Sequence, residues 1–488
     1  MGDGTVEGYN VVKAPITALT RATLAEMDMN VKTVDKTKNQ FALGILYWLL
    51  NRDIDIANKF LANKFHDKPD LITANQKVLR AGYHYAETIE ALHTTYYIAP
   101  ATDRKGKFRN ITGNEAVAWG LMAAAEKAGL QLFLGSYPIT PASEILQELS
   151  KRKHLGVKCF QAEDEIAGIC SALGASYAGA LAATTTSGPG LALKGEAVGL
   201  AVMTELPLVI VNVQRGGPAT GLPTKPEQSD LMQALYGRNG ESPVVVIAAS
   251  SPANCFDYAY KACKIALERM VPVILLTDGY LANGSELWPV PAMKNLPEIK
   301  PRFAKENDPE YQPYKRDPET LAREWAIPGM EGLRHRVGGL EKADVTGEVS
   351  HNAINHQKMT EYREDKVQRV VDMVPDLEVI GDKNADLLVI GWGGTFGAIL
   401  SAVEDLREKN YSIAMTHFNY IKPLPKNTAD VLKTHKKIIV CENNLGQFAN
   451  YLRSQHPQFN YIRFNKIQGL PFMVFELKEK FIEILEEK

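Results

Sequence analysis

The spacing of apolar positions changes along the chain, and with it the predicted structure. Through the first hundred residues, Phe41-Ala-Leu-Gly-Ile-Leu-Tyr-Trp-Leu-Leu50 and a shorter stretch from Lys59 to Phe65 read as helices, and strand-like runs are few. From Thr112 the pattern alternates. Helices are predicted over 113–128, 141–152, 165–178, 195–203 and 256–269, and strands over 130–134, 157–160, 180–184, 207–213, 244–248 and 273–277. That alternation predicts an α/β domain on a parallel sheet. Residues 295–375 mix charge with Pro297, Pro301, Pro309, Pro313 and Pro318 and keep no apolar period, which predicts a long wrapping linker, helical only over Glu361–Val371. A second α/β unit follows, with strands over 387–391, 412–415 and 437–441 and helices over 398–409 and 428–434. The expected division is a partial, mainly helical domain over 1–98, an α/β domain over 105–294, the linker over 295–375 and a second α/β domain over 376–488.

Composition narrows the class. With 488 residues, 45% hydrophobic and 23% charged, the chain is globular rather than disordered. Its net charge of −2 lacks the basic excess that a phosphate backbone demands, so nucleic acid is excluded as a partner. The five cysteines, Cys159, Cys170, Cys255, Cys263 and Cys441, form no C-x-x-C pair and fit a reducing, cytoplasmic setting better than a disulfide framework. Met1–Asn10 shows no export signal. Ile166–Leu193 carries no charge over 28 residues, but Thr184-Thr-Thr-Ser-Gly-Pro-Gly190 interrupts it, so no membrane span is expected.

Four loops carry candidate chemistry. Gly135-Ser-Tyr-Pro-Ile-Thr-Pro-Ala-Ser143 follows a strand, with Thr140 predicted at a helix N-cap and Pro141 at the first helical position. Gln161-Ala-Glu-Asp-Glu-Ile-Ala-Gly168 opens an apolar helix with three carboxylates; Glu163 and Asp164 suit the helix dipole, whereas Glu165 is expected against the buried side. The third loop is Thr184–Gly190, whose glycines allow close backbone approach to a ligand. The fourth is Val213-Gln-Arg-Gly-Gly-Pro-Ala-Thr-Gly-Leu-Pro-Thr224, where Arg215 suits a bidentate bond to a carboxylate and Thr220 and Thr224 line the same loop. A lone loop arginine is ordinarily a solvated charge. What raises these residues above that is position: all four loops leave the carboxyl ends of successive strands, where α/β sheets hold their ligands.

Taken together, Tyr137-Pro-Ile-Thr-Pro141, Ala162-Glu-Asp-Glu-Ile-Ala167, Thr186-Ser-Gly-Pro-Gly190, Gln214-Arg-Gly-Gly-Pro218 and Thr220-Gly-Leu-Pro-Thr224 resemble the signatures of the 2-oxoacid:ferredoxin oxidoreductase α subunits, in that family's order and closest to its 2-oxoglutarate type. Asp278-Gly-Tyr-Leu-Ala-Asn-Gly-Ser-Glu286, Gly338-Gly-Leu-Glu-Lys342 and His356-Gln-Lys358 extend the similarity over about residues 105–488. Residues 1–98 match only the later part of the family's γ domain, at Lys38-Asn-Gln-Phe-Ala-Leu43.

The resemblance implies a thiamine-diphosphate pyrimidine-binding domain of transketolase type, followed by a transketolase C-terminal-like domain. It also implies oxidative decarboxylation of a 2-oxoacid, with reduction of ferredoxin and acyl transfer to coenzyme A. Glu165 matches the carboxylate that hydrogen-bonds the cofactor pyrimidine, and Ser187 and Gly188 match the cofactor loop. Thr140 and Arg215 match the residues that bind the 2-oxoacid carboxylate, with Thr220 and Thr224 on the loop that tunes substrate choice. Mg2+, the diphosphate motif and the [4Fe-4S] cluster belong, by the resemblance, to a β subunit, in an αβ or (αβ)2 heteromer. No metal ligand is expected in this chain, and Gly2-Asp-Gly4 is set aside because no strand precedes it. The turn Gly391-Trp-Gly-Gly-Thr-Phe-Gly397 has glycines at dinucleotide-like offsets, but Met415-Thr-His417 stands where an acid should close the motif. His417, His435 and Glu442 are expected to be structural. Two alternatives stay open: another 2-oxoacid, pyruvate or 2-oxoisovalerate, or a non-catalytic scaffold subunit.

Overall fold

A computed structural model describes residues 11–89, 94–99 and 105–487. It divides into two compact units, Met1–Lys105 and Gly106–Lys488.

Among its described residues, the first unit is helical: α1 (Ile16–Thr23), α2 (Val31–Lys36), α3 (Lys38–Leu49), α4 (Ile54–Lys64) and α5 (Pro69–Thr88). The two predicted helices are α3 and α4. The longest helix, α5, was not foreseen; its buried stripe of Ala74, Val78, Leu79 and Ala86 lies between polar residues that hide the period. α3 and α5 touch through backbone, since a Cβ at Gly44 would come within 2.6 Å of the Tyr83 nitrogen.

The second unit opens β1 (Phe108–Thr112), α6 (Gly113–Ala128), β2 (Leu132–Ser136), α7 (Ser143–Ser150), β3 (Lys158–Gln161), α8 (Glu165–Tyr177) and β4 (Leu181–Thr186). It continues through α9 (Gly188–Leu193), α10 (Gly195–Thr204), β5 (Leu208–Gln214), α11 (Leu231–Tyr236), β6 (Val245–Ala248), α12 (Cys255–Arg269), β7 (Pro272–Asp278), α13 (Gly279–Asn283) and β8 (Ser285–Pro289). After α14 (Ala353–Gln368) come β9 (Val379–Gly381), β10 (Leu387–Trp392), α15 (Phe396–Glu408), β11 (Ile413–Phe418), β12 (Tyr420–Lys422), α16 (Thr428–Lys433), β13 (Lys437–Glu442), α17 (Gln447–Gln455), β14 (Ile462–Asn465) and α18 (Val474–Glu486).

The larger sheet has the order β12-β6-β7-β5-β4-β2-β3 and is parallel except at β12. Strands β4, β5 and β7 are buried on both faces, which is why they read as unbroken apolar runs. The strands that carry the four candidate loops are contiguous, as β5-β4-β2-β3. The smaller sheet, β14-β13-β10-β11-β9, is parallel except at β9.

The two sheets are not independent. β12 follows a strand of the smaller sheet yet pairs antiparallel with β6, and the Asn419 Nδ2 donates to the Ala248 carbonyl at 2.9 Å. The glycine-rich turn after β10 explains its own composition. Gly393 has φ +55°, the Gln228 Nε2 donates to the Trp392 carbonyl at 2.7 Å, and a Cβ at Gly394 would collide with the Asp278 carboxylate. Its glycines serve close packing between the sheets.

Residues 296–352 form no long element and lie along their own chain. Helix α14 begins at Ala353, earlier than the predicted Glu361, because the Asn352 side chain accepts from the Asn355 nitrogen at 2.9 Å and caps it there. The segment is anchored by charge. Glu205, only 1% exposed, accepts from the Arg316 Nη1 at 2.6 Å and from the Lys366 ammonium. Burial raises the Glu205 carboxyl, but Arg316 and Lys366 outweigh it and hold the group well below the usual carboxylate range. The carboxylate therefore stabilises the fold above its unfolded value, and that contribution is lost as pH falls through the depressed folded one. Glu205→Ala leaves two buried cations unpaired and should cost about 3–5 kcal/mol, read as a lower guanidinium midpoint at pH 7.

Candidate active site

Each candidate side chain owes its place to a strand end. Tyr137 leaves β2 buried, with its hydroxyl 3.0 Å from the Thr186 Oγ1 at the end of β4 and within the fields of both Glu165 and Arg215. Burial pushes the Tyr137 phenol well above its usual range, so it stays a neutral donor. Glu165 opens α8. The preceding Asp164 caps that helix, its Oδ1 accepting from the Ala167 nitrogen at 2.7 Å. A Cβ at Gly190 would collide with the Tyr137 hydroxyl and the Thr186 Oγ1 and come within 2.9 Å of the Glu165 Cγ. Residues from β2, β3 and β4 therefore meet around one glycine.

Two expectations need correction. Glu165 is half-buried, and the helix face beside it is open: Ile166 is 52% exposed, and Ala167 and Cys170 are exposed. The uncharged run after Glu165 reads as buried from sequence, yet only Gly168, Ile169, Ala172, Leu173 and Ser176 of that helix are. Thr140 is not the N-cap of α7, nor Pro141 its first residue. The chain turns over 140–142, the Ser143 Oγ accepts from the Ile139 nitrogen at 2.9 Å, and Ala142 precedes the helix.

Thr140 has a different partner. The Arg215 Nη1 donates to its carbonyl at 2.7 Å, tying the loop after β5 to the loop after β2. Arg215 is 7% exposed, and its Nε finds no hydrogen-bond partner among the described residues. A buried guanidinium with unspent donors is suited to a carboxylate. Ser187 is buried, and its Oγ also has no partner among the described residues. Gly188 opens α9 against Asp230, whose carboxylate a Cβ there would strike. Thr220 and Thr224 lie exposed on the loop beyond Arg215, which folds back through the Leu222 nitrogen donating to the Gly216 carbonyl at 2.9 Å.

Other residues here escape sequence reasoning. Lys194 is fully buried, and its Nζ donates to the Glu165 carbonyl at 2.7 Å and the Thr184 Oγ1 at 3.2 Å. Asp230 is buried, and burial pushes its carboxyl up to about 6 even though the Asn212 Nδ2 donates to it at 2.9 Å. With Gly188, Arg215, Glu227 and Asn444 it lines a cavity of about 490 Å³. Neither residue stands in a recognisable spacing. Their significance is three-dimensional.

The set fits the pyrimidine end of thiamine diphosphate: a carboxylate at a helix start, a glycine floor and a buried hydroxyl without a partner. Among the described residues, no cluster of three or more His, Cys, Asp or Glu side chains could hold a metal ion. Glu442 is occupied structurally, accepting from the Phe448 and Ala449 nitrogens at 2.7 and 3.0 Å. No helix among the described residues is long and apolar enough to cross a membrane.

Comparison with known proteins gives the family. Residues 123–354 match the family described as pyruvate flavodoxin/ferredoxin oxidoreductase, thiamine diphosphate-binding, and residues 377–450 match the transketolase C-terminal domain. The chain is 50% identical over 477 residues to the 2-oxoglutarate oxidoreductase subunit KorA of Mycobacterium tuberculosis, covering 97% of this chain and 72% of that one. It is 29% identical to the 2-oxoacid:ferredoxin oxidoreductase 1 subunit alpha of Aeropyrum pernix, over 97% of this chain and 75% of the other. Among solved structures it resembles the 2-oxoglutarate:ferredoxin oxidoreductase of Magnetococcus marinus, determined with 2-oxoglutarate, coenzyme A and succinyl-CoA bound. The TM-score is 0.86 and the identity 32%, over 96% of this chain and 80% of that chain. With the site geometry and these relatives in agreement, the chain belongs to the 2-oxoacid:ferredoxin oxidoreductase α subunits, a family of thiamine-diphosphate-binding oxidoreductases.

Proposed function

We propose that the chain is the α subunit of a cytoplasmic 2-oxoglutarate:ferredoxin oxidoreductase, which converts 2-oxoglutarate and coenzyme A reversibly to succinyl-coenzyme A and carbon dioxide while reducing ferredoxin. The observation that carries this reading is the closure of Tyr137, Glu165 and Thr186 on Gly190, a glycine floor with no room for a side chain, with Arg215 bonded to the loop that bears Tyr137 through the Thr140 carbonyl.

In this reading Glu165 holds or releases a proton at the pyrimidine nitrogen, within the general acid–base range of catalysis. Bound there, thiamine diphosphate would supply a carbon acid whose conjugate base is a nucleophile for the 2-oxo group. Ser187 and Gly188 line the cofactor, with the Ser187 hydroxyl free to donate. Arg215, braced by the Thr140 carbonyl, turns its remaining donors to the 2-oxoacid carboxylate and fixes the reacting carbon. Thr220 and Thr224, exposed on the loop beyond Arg215, are assigned the substrate's far end. Five free cysteines agree with a reducing compartment.

The β subunit is assigned the Mg2+ and diphosphate motif and the [4Fe-4S] cluster, in an αβ or (αβ)2 heteromer. Exposed Phe160 on β3, Ile166 on α8 and Leu193 on α9 supply apolar surface for it to cover.

Copurification with the β subunit and 2-oxoacid-dependent reduction of a viologen dye test the reading. Turnover of 2-oxoglutarate should exceed that of pyruvate and 2-oxoisovalerate; a reversed order would reassign the substrate. Glu165→Gln in the assembled complex should lower kcat at least about 100-fold, whereas retained turnover would favour a scaffold role. Arg215→Ala should raise KM for 2-oxoglutarate and cost about 2–5 kcal/mol in kcat/KM, with thiamine diphosphate affinity nearly unchanged in calorimetry. The isolated chain should be inactive and colourless.

A further inference from the structure

Lys194 stands where a lysine is costly. It joins α9 to α10, is wholly excluded from solvent, and forms no ion pair among the described residues. Its ammonium makes three contacts, each to a part of the site. The Nζ donates to the Glu165 carbonyl at 2.7 Å and to the Thr184 Oγ1 at 3.2 Å, and it lies 5.0 Å from the centre of the Tyr137 ring.

The turn that carries Glu165 is capped by Asp164 and tied to β2 through the Ala162 nitrogen, but its outer face is uncovered. Glu163, Asp164, Ile166 and Ala167 are all exposed, so apolar packing does not fix the start of α8 from outside. From inside, Gly168 lies close to the sheet, with a Cβ there 3.5 Å from both the Lys194 Nζ and the Ser136 Cα. Lys194 thus ties the first residue of the helix to β4 and to the tyrosine after β2. An apolar side chain of similar length would fill the space without the desolvation penalty. Cost borne beside a reactive group marks a working residue.

We propose that Lys194 is a positioning residue for Glu165: its buried ammonium clamps the opening turn of α8 to β4 and to Tyr137, and so sets where the Glu165 carboxyl meets the cofactor pyrimidine. This rests on the reading of Glu165 given above. The charged and titratable groups around the ammonium are Glu165, Asp164 and Cys170 of α8 and Tyr137. Burial pulls the Lys194 amine down from 10.5 to about 8, only partly offset by those acidic groups. The group therefore weakens the fold while it is charged below about pH 8, and that penalty fades as pH rises towards 10.5.

The test uses the assembled αβ complex with Lys194→Met, Thr184→Val and Glu165→Gln measured in parallel. Misplacing the carboxyl should lower kcat for Lys194→Met by about 100-fold, with KM for 2-oxoglutarate within about twofold. Its affinity for thiamine diphosphate, measured by calorimetry without turnover, should weaken by about tenfold. Its Tm at pH 7 should match or exceed that of the parent, with any advantage closing by pH 10. Thr184→Val, which keeps the ammonium and removes one anchor, should show the same split at about a tenth of the size. Unchanged kcat and cofactor affinity in Lys194→Met overturn the proposal, and so does a loss of kcat matched by a fall in Tm, which would mark a packing role. If Glu165→Gln keeps turnover, the reading of the site falls and this proposal falls with it; if only Lys194→Met keeps turnover, the clamp alone is wrong.

Discussion

The absence of a side chain at position 190 is the constraint on which the site is built. Tyr137 comes from the loop after β2, Glu165 from the helix after β3 and Thr186 from the end of β4, and all three close on the Gly190 Cα. Neighbouring strands lie about 4.8 Å apart, so side chains from three of them meet only where a fourth surface leaves room. A methyl at that position would force apart the hydroxyl pair of Tyr137 and Thr186 and push against Glu165. The glycine is thus required by packing among the candidate site residues, not by a positive φ.

Charge burial recurs through the same unit in two forms. Glu205 is surrounded by Arg316 and Lys366, one carboxylate shared by two cations, and the cluster fastens the irregular segment 296–352 through Arg316. Lys194 is the opposite case, a cation whose acceptors are a carbonyl and a hydroxyl. The first arrangement holds a chain segment that has almost no secondary structure of its own. The second holds a helix turn whose outer face is uncovered.

Much of this was legible in the chain. Doubly buried strands betray themselves as apolar runs, so β4, β5, β6 and β7 were found within a few residues of their ends, and their order along the chain placed the four loops at one sheet edge. Helix α6 runs over the predicted 113–128 because both ends are marked, by Thr112 accepting from the Glu115 nitrogen and by Gly129 in a left-handed turn. What failed was information that sequence carries only weakly. α5, α17 and α18 are amphipathic helices with mixed polar faces, and β12 is three residues long and joins a sheet built some 170 positions earlier, as the pairing of Tyr420 with Ile247 shows. The cap at Thr140 was misplaced because proline and a hydroxyl residue fit a turn as well as a helix start. Lys194 lay hidden in an apolar stretch where one lysine reads as a surface charge.

The smaller sheet has a structural stake in the larger one's site. The loop from Glu227 to Asp230 carries two carboxylates that line the cavity with Arg215, and β5 holds its far end: the Asn212 Nδ2 donates to the Asp230 carboxylate at 2.9 Å and the Asp230 nitrogen to the Gln214 Oε1 at 3.2 Å. Its middle, Gln228 and Ser229, bonds to the segment after β13. The Asn443 nitrogen donates to the Gln228 Oε1 at 3.0 Å, the Asn444 Nδ2 to the Gln228 carbonyl at 2.8 Å and the Gln447 Nε2 to the Ser229 carbonyl at 2.8 Å. Gln228 in turn holds the glycine-rich turn after β10 through the Trp392 carbonyl. The smaller sheet thus holds Gln228 and Ser229, while Asp230 and Arg215 both hang from β5. The two sheets are thus joined at one end by β12, which follows a strand of the smaller sheet and pairs with β6 of the larger, and at the other by a hydrogen-bonded loop, so the transketolase-like region braces part of the loop that lines the cavity beside Arg215.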